Sequence, residues 1–340
     1  MTAVDPFDPR RSSVTSVPET EATEPRIRVL YVGGWGRSGS TLLDRMLGQI
    51  PGFCSLGEVR EIWQSGLQQN RPCGCGVPFR SCPFWTDVGE RAFGGWDRVD
   101  PARAWRLWWT FDRPWALPLL MAPARALPSM PKLNAYLRLL RRLYLAAARA
   151  SGATVLIDSS KLVTHALLAR RVPEVDLRFV HLIRDSRAVA FSWGKRIQDR
   201  ATQGAPIYME RYSPASSAIR WLLYNEPARL MRSLGPYRLV RFEDLMADPR
   251  TEVRKLVQGI GGTAASPDLS FIGDGQVVLQ TNHTVDGNPM RFAVGPVPLR
   301  PADEWEDGLS AAGRWSVTAL TLPRLRSYGY PIRGEKGTRE

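Results

Sequence analysis

Apolar residues run from Ile27 to Gly33 (Ile-Arg-Val-Leu-Tyr-Val-Gly), a pattern that predicts a buried strand. Gly34-Trp35-Gly36-Arg37-Ser38-Gly39 follows. From Ser40 to Ile50 the spacing turns helical, with Leu42, Leu43, Met46 and Leu47 on one side, and Pro51-Gly52 stops that helix. The same rhythm recurs. Val155-Leu156-Ile157 is strand-like and precedes Asp158, with a helical stretch from near Leu162. Leu177 to Ile183 predicts a further strand, followed by Arg184-Asp185 and a helix from Ser186 to about Gln198. Tyr237 to Phe242 reads as a strand and Arg250 to Ile260 as a helix. Strands alternating with helices predict an α/β fold, a three-layer sandwich around a mostly parallel central sheet. Such sheets bind ligands beyond the carboxyl ends of their strands.

One segment breaks the rhythm. Trp105 to about Ala150 reads as helical and holds Trp105, Trp108, Trp109, Phe111 and Trp115, so residues 95–150 are expected to form an inserted helical cap. Its aromatics suit two roles, ordinary core or the lining of an apolar or sugar-stacking pocket. Residues 1–25 are rich in Ser, Thr, Pro and Glu and carry no apolar stretch of a secretory signal. They predict a disordered tail, residues 333–340 predict a second one, and a single domain is expected over 26–332. The apolar stretch from Trp115 to Met130 is broken by Pro118, Pro123 and Pro128 and carries Arg125, too short and too broken to span a bilayer. The expected location is the cytoplasm.

The chain has 340 residues, 44% of them apolar, enough for a substantial core. Its formal net charge is +13. A polyanionic ligand, nucleic acid or an anionic membrane surface would each answer to that charge. Only Lys132, Lys161, Lys195, Lys255 and Lys336 are lysines, so the basic residues are nearly all arginine. Such a bias also follows from genome composition, and charge alone argues weakly for any partner. With no block of like charges and no nucleic-acid-binding motif, nucleic acid is not an expected partner. Basic residues among the cap aromatics allow weak association with a membrane surface. Nothing in the pattern specifies an oligomeric state.

The candidate chemistry begins at the first strand. A glycine-rich turn between a strand and a helix lets backbone N–H groups converge on an anion, and the helix N-terminus adds partial positive charge. Gly34, Gly36 and Gly39 supply the backbone freedom, and Ser38, Ser40 and Thr41 add hydroxyl donors. The spacing from Gly34 to Thr41 is P-loop-like, nearly matching Gly-x-x-x-x-Gly-Lys-Ser/Thr, but Ser40 stands where the lysine belongs. The cation sits inside the turn instead, at Arg37. That departure argues against ATP hydrolysis and for a shorter, pyrophosphate-like group. Farther along, Arg184 ends a strand and Ser192 lies eight residues later on the following helix, where a guanidinium and a hydroxyl can share one phosphate.

Gly36-Arg37-Ser38-Gly39-Ser40-Thr41-Leu42-Leu43 resembles the 5′-phosphosulfate loop of sulfotransferases that use 3′-phosphoadenosine 5′-phosphosulfate (PAPS). The arginine form is similar to the carbohydrate and tyrosylprotein branches rather than the cytosolic branch, which carries lysine there. The Arg184-to-Ser192 spacing resembles the family's 3′-phosphate segment. Arg241-Phe242-Glu243-Asp244-Leu245 with Asp248-Pro249 is similar to a strand-end signature of the family, and its role reads as structural. Asn282-His283-Thr284-Val285-Asp286-Gly287-Asn288-Pro289-Met290-Arg291 resembles a loop that closes over the nucleotide in bacterial members, which implies Arg291 at the 3′-phosphate. The resemblance covers roughly residues 27–60 and 154–292, and leaves the cap unmatched.

What it implies is a sulfuryl transferase with PAPS as donor and a small-molecule, carbohydrate or lipid hydroxyl, or an amine, as acceptor. Gly36, Arg37, Ser38, Gly39, Ser40, Thr41, Leu42, Arg184, Ser192 and Arg291 would hold the donor, and Arg37 would stabilise the leaving phosphate. Sulfuryl transfer needs no metal in principle, and the sequence has no evident acidic metal cluster. Glu58, in Ser55-Leu56-Gly57-Glu58-Val59-Arg60, is the candidate base, with a surface ion pair to Arg60 as its plain alternative. His283 is the competing base. Lys161, in Asp158-Ser159-Ser160-Lys161, is a candidate to assist the leaving group. His165 and His181 lie in apolar segments and read as structural. Two rivals stand beside this reading: a P-loop nucleotide kinase, with Val155-Leu156-Ile157-Asp158 as its metal-binding strand, and a non-catalytic nucleotide-binding protein.

Cys73-Gly74-Cys75-Gly76 and Cys82-Pro83-Phe84-Trp85 form one cluster, and Cys54 makes a fourth thiol. Structural thiols are the first reading, a disulfide the second and zinc the third, because the spacing is not a standard zinc pattern.

Overall fold

The computed structural model describes residues 26–123, 129–199, 207–259, 267–301 and 303–332. The predicted tails lie outside the described residues. The strands are β1 (Ile27–Gly33), β2 (Phe53–Gly57), β3 (Val155–Lys161), β4 (Val175–Ile183), the short pair β5 (Gln198–Asp199) and β6 (Ile207–Tyr208), β7 (Tyr237–Arg241), and the meander β8 (Ile272–Gly273), β9 (Gln276–Leu279) and β10 (Gly295–Pro298). The helices are α1 (Ser40–Leu47), α2 (Pro83–Phe93), α3 (Pro101–Phe111), α4 (Ala116–Met121), α5 (Pro131–Ser151), α6 (Val163–Arg170), α7 (Ser186–Gly194), α8 (Pro214–Leu230), α9 (Phe242–Ala247), α10 (Pro249–Gly259), α11 (Trp305–Gly308) and α12 (Ala311–Ser327).

The central sheet has five strands in the order β2-β3-β1-β4-β7, and every pairing in it is parallel. Both faces are covered, as an all-parallel sheet requires. The pleat of β1 shows how. Leu30 and Val32 pack with Leu42, Leu43, Met46 and Leu47 of α1 and with Leu245, Val253, Leu256 and Val257 of α9 and α10. Val29 and Tyr31 point the other way, against Leu140, Leu143 and Tyr144 of α5 and Ala166 and Leu167 of α6. The three layers thus follow from period-2 alternation in a strand that carries side chains for two cores.

The inserted segment is helical, as α3, α4 and α5. Pro101 and Pro131 sit in the first turns of α3 and α5, where a missing N–H costs nothing. The Asp100 side chain caps α3 by accepting from the Arg103 N–H at 2.9 Å. On α5, Leu133, Tyr136, Leu140, Leu143, Tyr144 and Ala147 fall on one buried stripe, and Gly152 closes the helix at φ 65. Trp108 is fully buried, whereas Trp109 and Trp115 are exposed at 44% and 63%.

Two helices are shorter than their pattern predicts. α1 ends at Leu47 rather than Ile50, and Gly48 then lies against β2, where a Cβ would be 2.6 Å from Ser55 Cβ. α7 ends at Gly194, with Lys195 extended at ψ 143. Among the described residues, no helix is long and apolar enough to cross a membrane.

Leu30 sits fully buried at the centre of the sheet. Leu30→Ala should destabilise the fold by about 2–5 kcal/mol, read as a lower urea midpoint at unchanged slope.

Candidate active site

The chain leaves β1 in the middle of the sheet, with β3 on one side and β4 on the other. Here the strand order reverses direction, the place where parallel sheets open a crevice. The turn after β1 is fastened to both neighbours. The Gly34 N–H donates to the Lys161 carbonyl at the end of β3 (3.2 Å), and Arg184 Nη1, beyond β4, donates to the Arg37 carbonyl (3.1 Å). Trp193 Nε1 on α7 donates to the Gly36 carbonyl at 3.2 Å. Such close approach demands glycine at two positions. Gly34 has φ 137, and a Cβ there would lie 2.4 Å from the Leu182 carbonyl oxygen. Gly39 has φ 89, and its Cβ would strike the Phe242 ring at 2.3 Å.

A cleft of about 500 Å³ opens above this turn. Gly36, Arg37, Gly39, Ser40, Thr41 and Leu42 line it from the turn and α1, Glu58 and Arg60 from the end of β2, Lys161 from β3, and Arg184 and Ser192 from β4 and α7. Phe242 lines it after β7, and Asp286, Gly287 and Asn288 form a further wall. Ser38 lies below, 1% exposed, with no protein partner for its hydroxyl. Three lining residues, Arg37 (φ 68), Lys161 (φ 70) and Asp286 (φ 48), hold left-handed backbone without being glycine. Such strain persists only where the surroundings impose it, and it clusters at functional sites.

The electrostatics are those of an anion site. Burial pushes the Arg37 guanidinium below its ordinary pKa, and it stacks over Trp193 at 4.9 Å. Burial does the same to Arg184, against an opposing pull from Glu243, and Arg184 stacks over Phe242 at 4.6 Å. The Nε of each is buried without an acceptor, as is the Ser38 hydroxyl. A buried donor left unpaired costs roughly 1–3 kcal/mol. Glu243 braces the arrangement: its carboxylate accepts from the Asp185 N–H at 2.9 Å and from the Tyr330 hydroxyl at 2.8 Å, next to Arg184.

Glu58, Glu61 and Asp286 line the cleft, and Glu58 is 7% exposed. Its Oε1 pairs with Lys161 Nζ, and its Oε2 lies 3.8 Å from Arg60 Nη2. A Cβ on Gly287 would lie 3.4 Å from Glu58 Oε1 and 3.6 Å from Thr41 Oγ1, so this oxygen faces the α1 N-terminus across a glycine that leaves room. The Glu58 N–H donates to the Val285 carbonyl at 2.9 Å, fixing the residue at the sheet edge.

Two expected participants lie elsewhere. Arg291 does not line the cleft. It is 1% exposed, donates through Nη2 to the Pro72 carbonyl at 3.0 Å, and sets Nη1 3.5 Å from Asp286, which ties the loop together from inside. His283 does not line it either. Its ring stacks on Phe84, with Nδ1 3.2 Å from Cys82 Sγ. His181 bonds Tyr237 and Asn225 at 2.8 Å each, and burial lowers its pKa to about 4. Asp158, the metal-binding residue of the kinase reading, is fully buried under α5. Tyr144 donates to it at 2.6 Å, the Ser160 N–H at 2.9 Å, and it does not reach the cleft. A second hollow of about 360 Å³, lined by Arg98, Arg103, Arg138 and Arg142, involves no strand end.

Sequence reasoning missed Arg60, Trp35, Trp193, Met209, Tyr224 and Phe242 as lining residues. Trp193 directly follows Ser192 and Phe242 directly follows a predicted strand, so both carried a local signal. Met209 and Tyr224 carried none.

No protein-family profile and no curated protein matches the chain. Solved structures do resemble it. The sulfotransferase domain from the Synechococcus PCC 7002 olefin synthase is 21% identical, covers 91% of this chain and 97% of its own, and superposes with a TM-score of 0.45. The sulfotransferase domain from the curacin biosynthetic pathway is 15% identical over 90% of this chain and 99% of its own, with a TM-score of 0.48. Sulfotransferase STF9 from Mycobacterium avium is 16% identical over 90% and 78%, with a TM-score of 0.45.

Asp44 lies on α1 beneath the turn, fully buried, accepting from the Ser55 hydroxyl at 2.8 Å. Burial raises its carboxyl from 3.8 to about 7. The folded state therefore binds this proton more tightly than the unfolded state. The stability it contributes is complete below the unfolded pKa and is lost as pH rises to about 7. Asp44→Asn should flatten the fall in urea midpoint between about pH 4 and pH 7 that the parent protein shows.

Proposed function

We propose that the cleft binds PAPS and that the protein is a sulfotransferase. The observation that carries this reading is the pair of buried guanidinium groups, Arg37 in the glycine turn and Arg184 after β4, which line one cleft with Ser40, Thr41 and Ser192. One phosphate group at the turn and a second near Arg184 and Ser192 would satisfy these donors. That distribution fits a nucleotide phosphorylated at both ends of its ribose. The donor supplies an activated sulfuryl group. Arg37 and the α1 N-terminus offset charge developing on the 5′-phosphate as the sulfur–oxygen bond to it breaks. Lys161 sits within an ion pair of Glu58 and can turn its ammonium to the oxygens in transit. Glu58 takes the acceptor's proton as the new oxygen–sulfur bond forms. Phe242 and Trp193 hold the two guanidinium planes in place, so little reorganisation is left for the reaction. The acceptor is proposed to be a hydroxyl or amine of a small-molecule, carbohydrate or lipid compound, and the cytoplasm is the proposed compartment.

The kinase reading is weakened by Ser40 in place of the phosphate-binding lysine and by Asp158 buried under Tyr144. Adenosine 3′,5′-bisphosphate should raise the melting temperature, by about 2.7 kcal/mol of stabilisation at a hundredfold excess over its Kd, while ATP with Mg²⁺ should raise it little. Arg184→Ala should abolish that shift. The reverse preference, or an unchanged shift in Arg184→Ala, would defeat the reading.

Sulfuryl transfer from labelled PAPS to a native small-molecule extract, followed by mass spectrometry, tests the chemistry. Arg37→Ala should lower turnover by about 100-fold or more. Glu58→Gln should lose turnover while keeping the thermal shift.

A further inference from the structure

Outside the cleft, the fold gathers Cys73, Cys75, Cys82 and His283 so that their four potential ligand atoms all lie within 4.8 Å of one another. We propose that these residues bind one zinc ion, a Cys₃His site that clamps the 282–291 loop to the segment after β2. Three of the six distances are near those of a tetrahedron, and the other three are within 4.8 Å. With Zn–S of about 2.3 Å and Zn–N of about 2.0–2.1 Å, two sulfurs on one zinc stand roughly 3.8 Å apart, and a sulfur and a nitrogen roughly 3.6 Å. Cys75 Sγ and Cys82 Sγ are 3.7 Å apart, and His283 Nδ1 is 3.2 Å from Cys82 Sγ and 3.8 Å from Cys73 Sγ. A disulfide needs about 2.05 Å and would leave the third sulfur and the imidazole without a role. All four cysteines are free thiols, and Cys54 stands apart from the cluster.

The surroundings are built for a bound ion. Cys73 and Cys82 are 1% and 0% exposed. The chain around the first two cysteines forms a tight knuckle: the Cys73 N–H donates to the Val77 carbonyl, the Gly76 N–H to the Cys73 carbonyl, each at 2.8 Å, and Pro72 bridges Pro78. Gly74 lets the knuckle press on the loop, since a Cβ there would lie 2.0 Å from Asn282 Oδ1. The His283 ring is oriented by stacking on Phe84, and its carbonyl accepts from Trp85 Nε1 at 2.8 Å. Three thiolates, a neutral imidazole and Zn²⁺ leave one negative charge. The buried Arg291 guanidinium, on the carbonyl next to Cys73, stands beside it. Each cysteine gives up its proton on binding, so the metal's affinity becomes folding free energy. Thiolate and imidazole donors in a closed tetrahedron select zinc over harder cations. With no open position, the site is structural.

The test is the metal content of the full chain, purified without a histidine tag under reducing conditions and measured by inductively coupled plasma mass spectrometry. The parent protein and Cys54→Ser should each carry about one zinc per chain, and Cys82→Ser and His283→Ala should carry none. Cobalt added to chelator-stripped parent protein should produce the visible absorption of tetrahedral cobalt–thiolate. Background metal in a parent protein that is folded by circular dichroism would overturn the proposal. So would full zinc retention in His283→Ala and Cys82→Ser, or a Cys75–Cys82 disulfide in the mass of the alkylated parent protein. Because the parent measurement stands alone, a variant that fails to fold does not shelter the idea.

Discussion

The turn leaving β1 has to bond both strands that flank it, and the rest of the site follows from that constraint. The Gly34 N–H meets the Lys161 carbonyl on one side, and the Arg37 carbonyl meets Arg184 on the other. β1 lies between β3 and β4, so one short turn sets the distance between the ends of three strands. Left-handed backbone at Arg37 and Lys161 is what this geometry requires of residues that are not glycine. Glycine at 34 and 39 is what the carbonyl of Leu182 and the ring of Phe242 require.

The same constraint concentrates positive charge. Arg37 and Arg184 are drawn together through one carbonyl, buried against Trp193 and Phe242, and left with unpaired donors. A fold keeps such an arrangement when neighbouring groups hold it in place. Here Glu243, Asp185 and Tyr330 form the brace behind Arg184, and Arg187 closes it by pairing with Asp185 at 2.6 Å. The Arg241-Phe242-Glu243 segment after β7 therefore acts on the site indirectly, by holding the backbone that carries the guanidinium.

The far wall of the cleft is a loop fastened from several directions. Arg45 of α1 donates to the carbonyls of Gln280, Met290 and Ala293, gripping both arms of the loop. Val285 joins the edge of β2 through the Leu56 carbonyl, which brings Asp286 and Gly287 to Glu58. His283 and Arg291 anchor the same loop to the cysteine knuckle. One side of this segment thus faces the cleft, and the other faces the thiol cluster.

The sequence alone determined the strand–turn–helix units, because period-2 and period-3.6 burial patterns are local properties of the chain. β1 is read at its observed limits, Ile27–Gly33, and the predicted Leu177–Ile183 falls within β4. The glycine turn with its internal arginine was legible for the same reason: six adjacent residues specify it. Tertiary structure alone decided which side chains share the cleft and which turn away. His283 and Arg291 lie in the right loop, yet their partners Cys82 and Pro72 are 201 and 219 positions distant in sequence. Val285 meets Gly57 at the end of β2 in an isolated bridge, which seats the loop at the sheet edge. No local pattern encodes that pairing, because it arises only once the sheet edge exists for the loop to join.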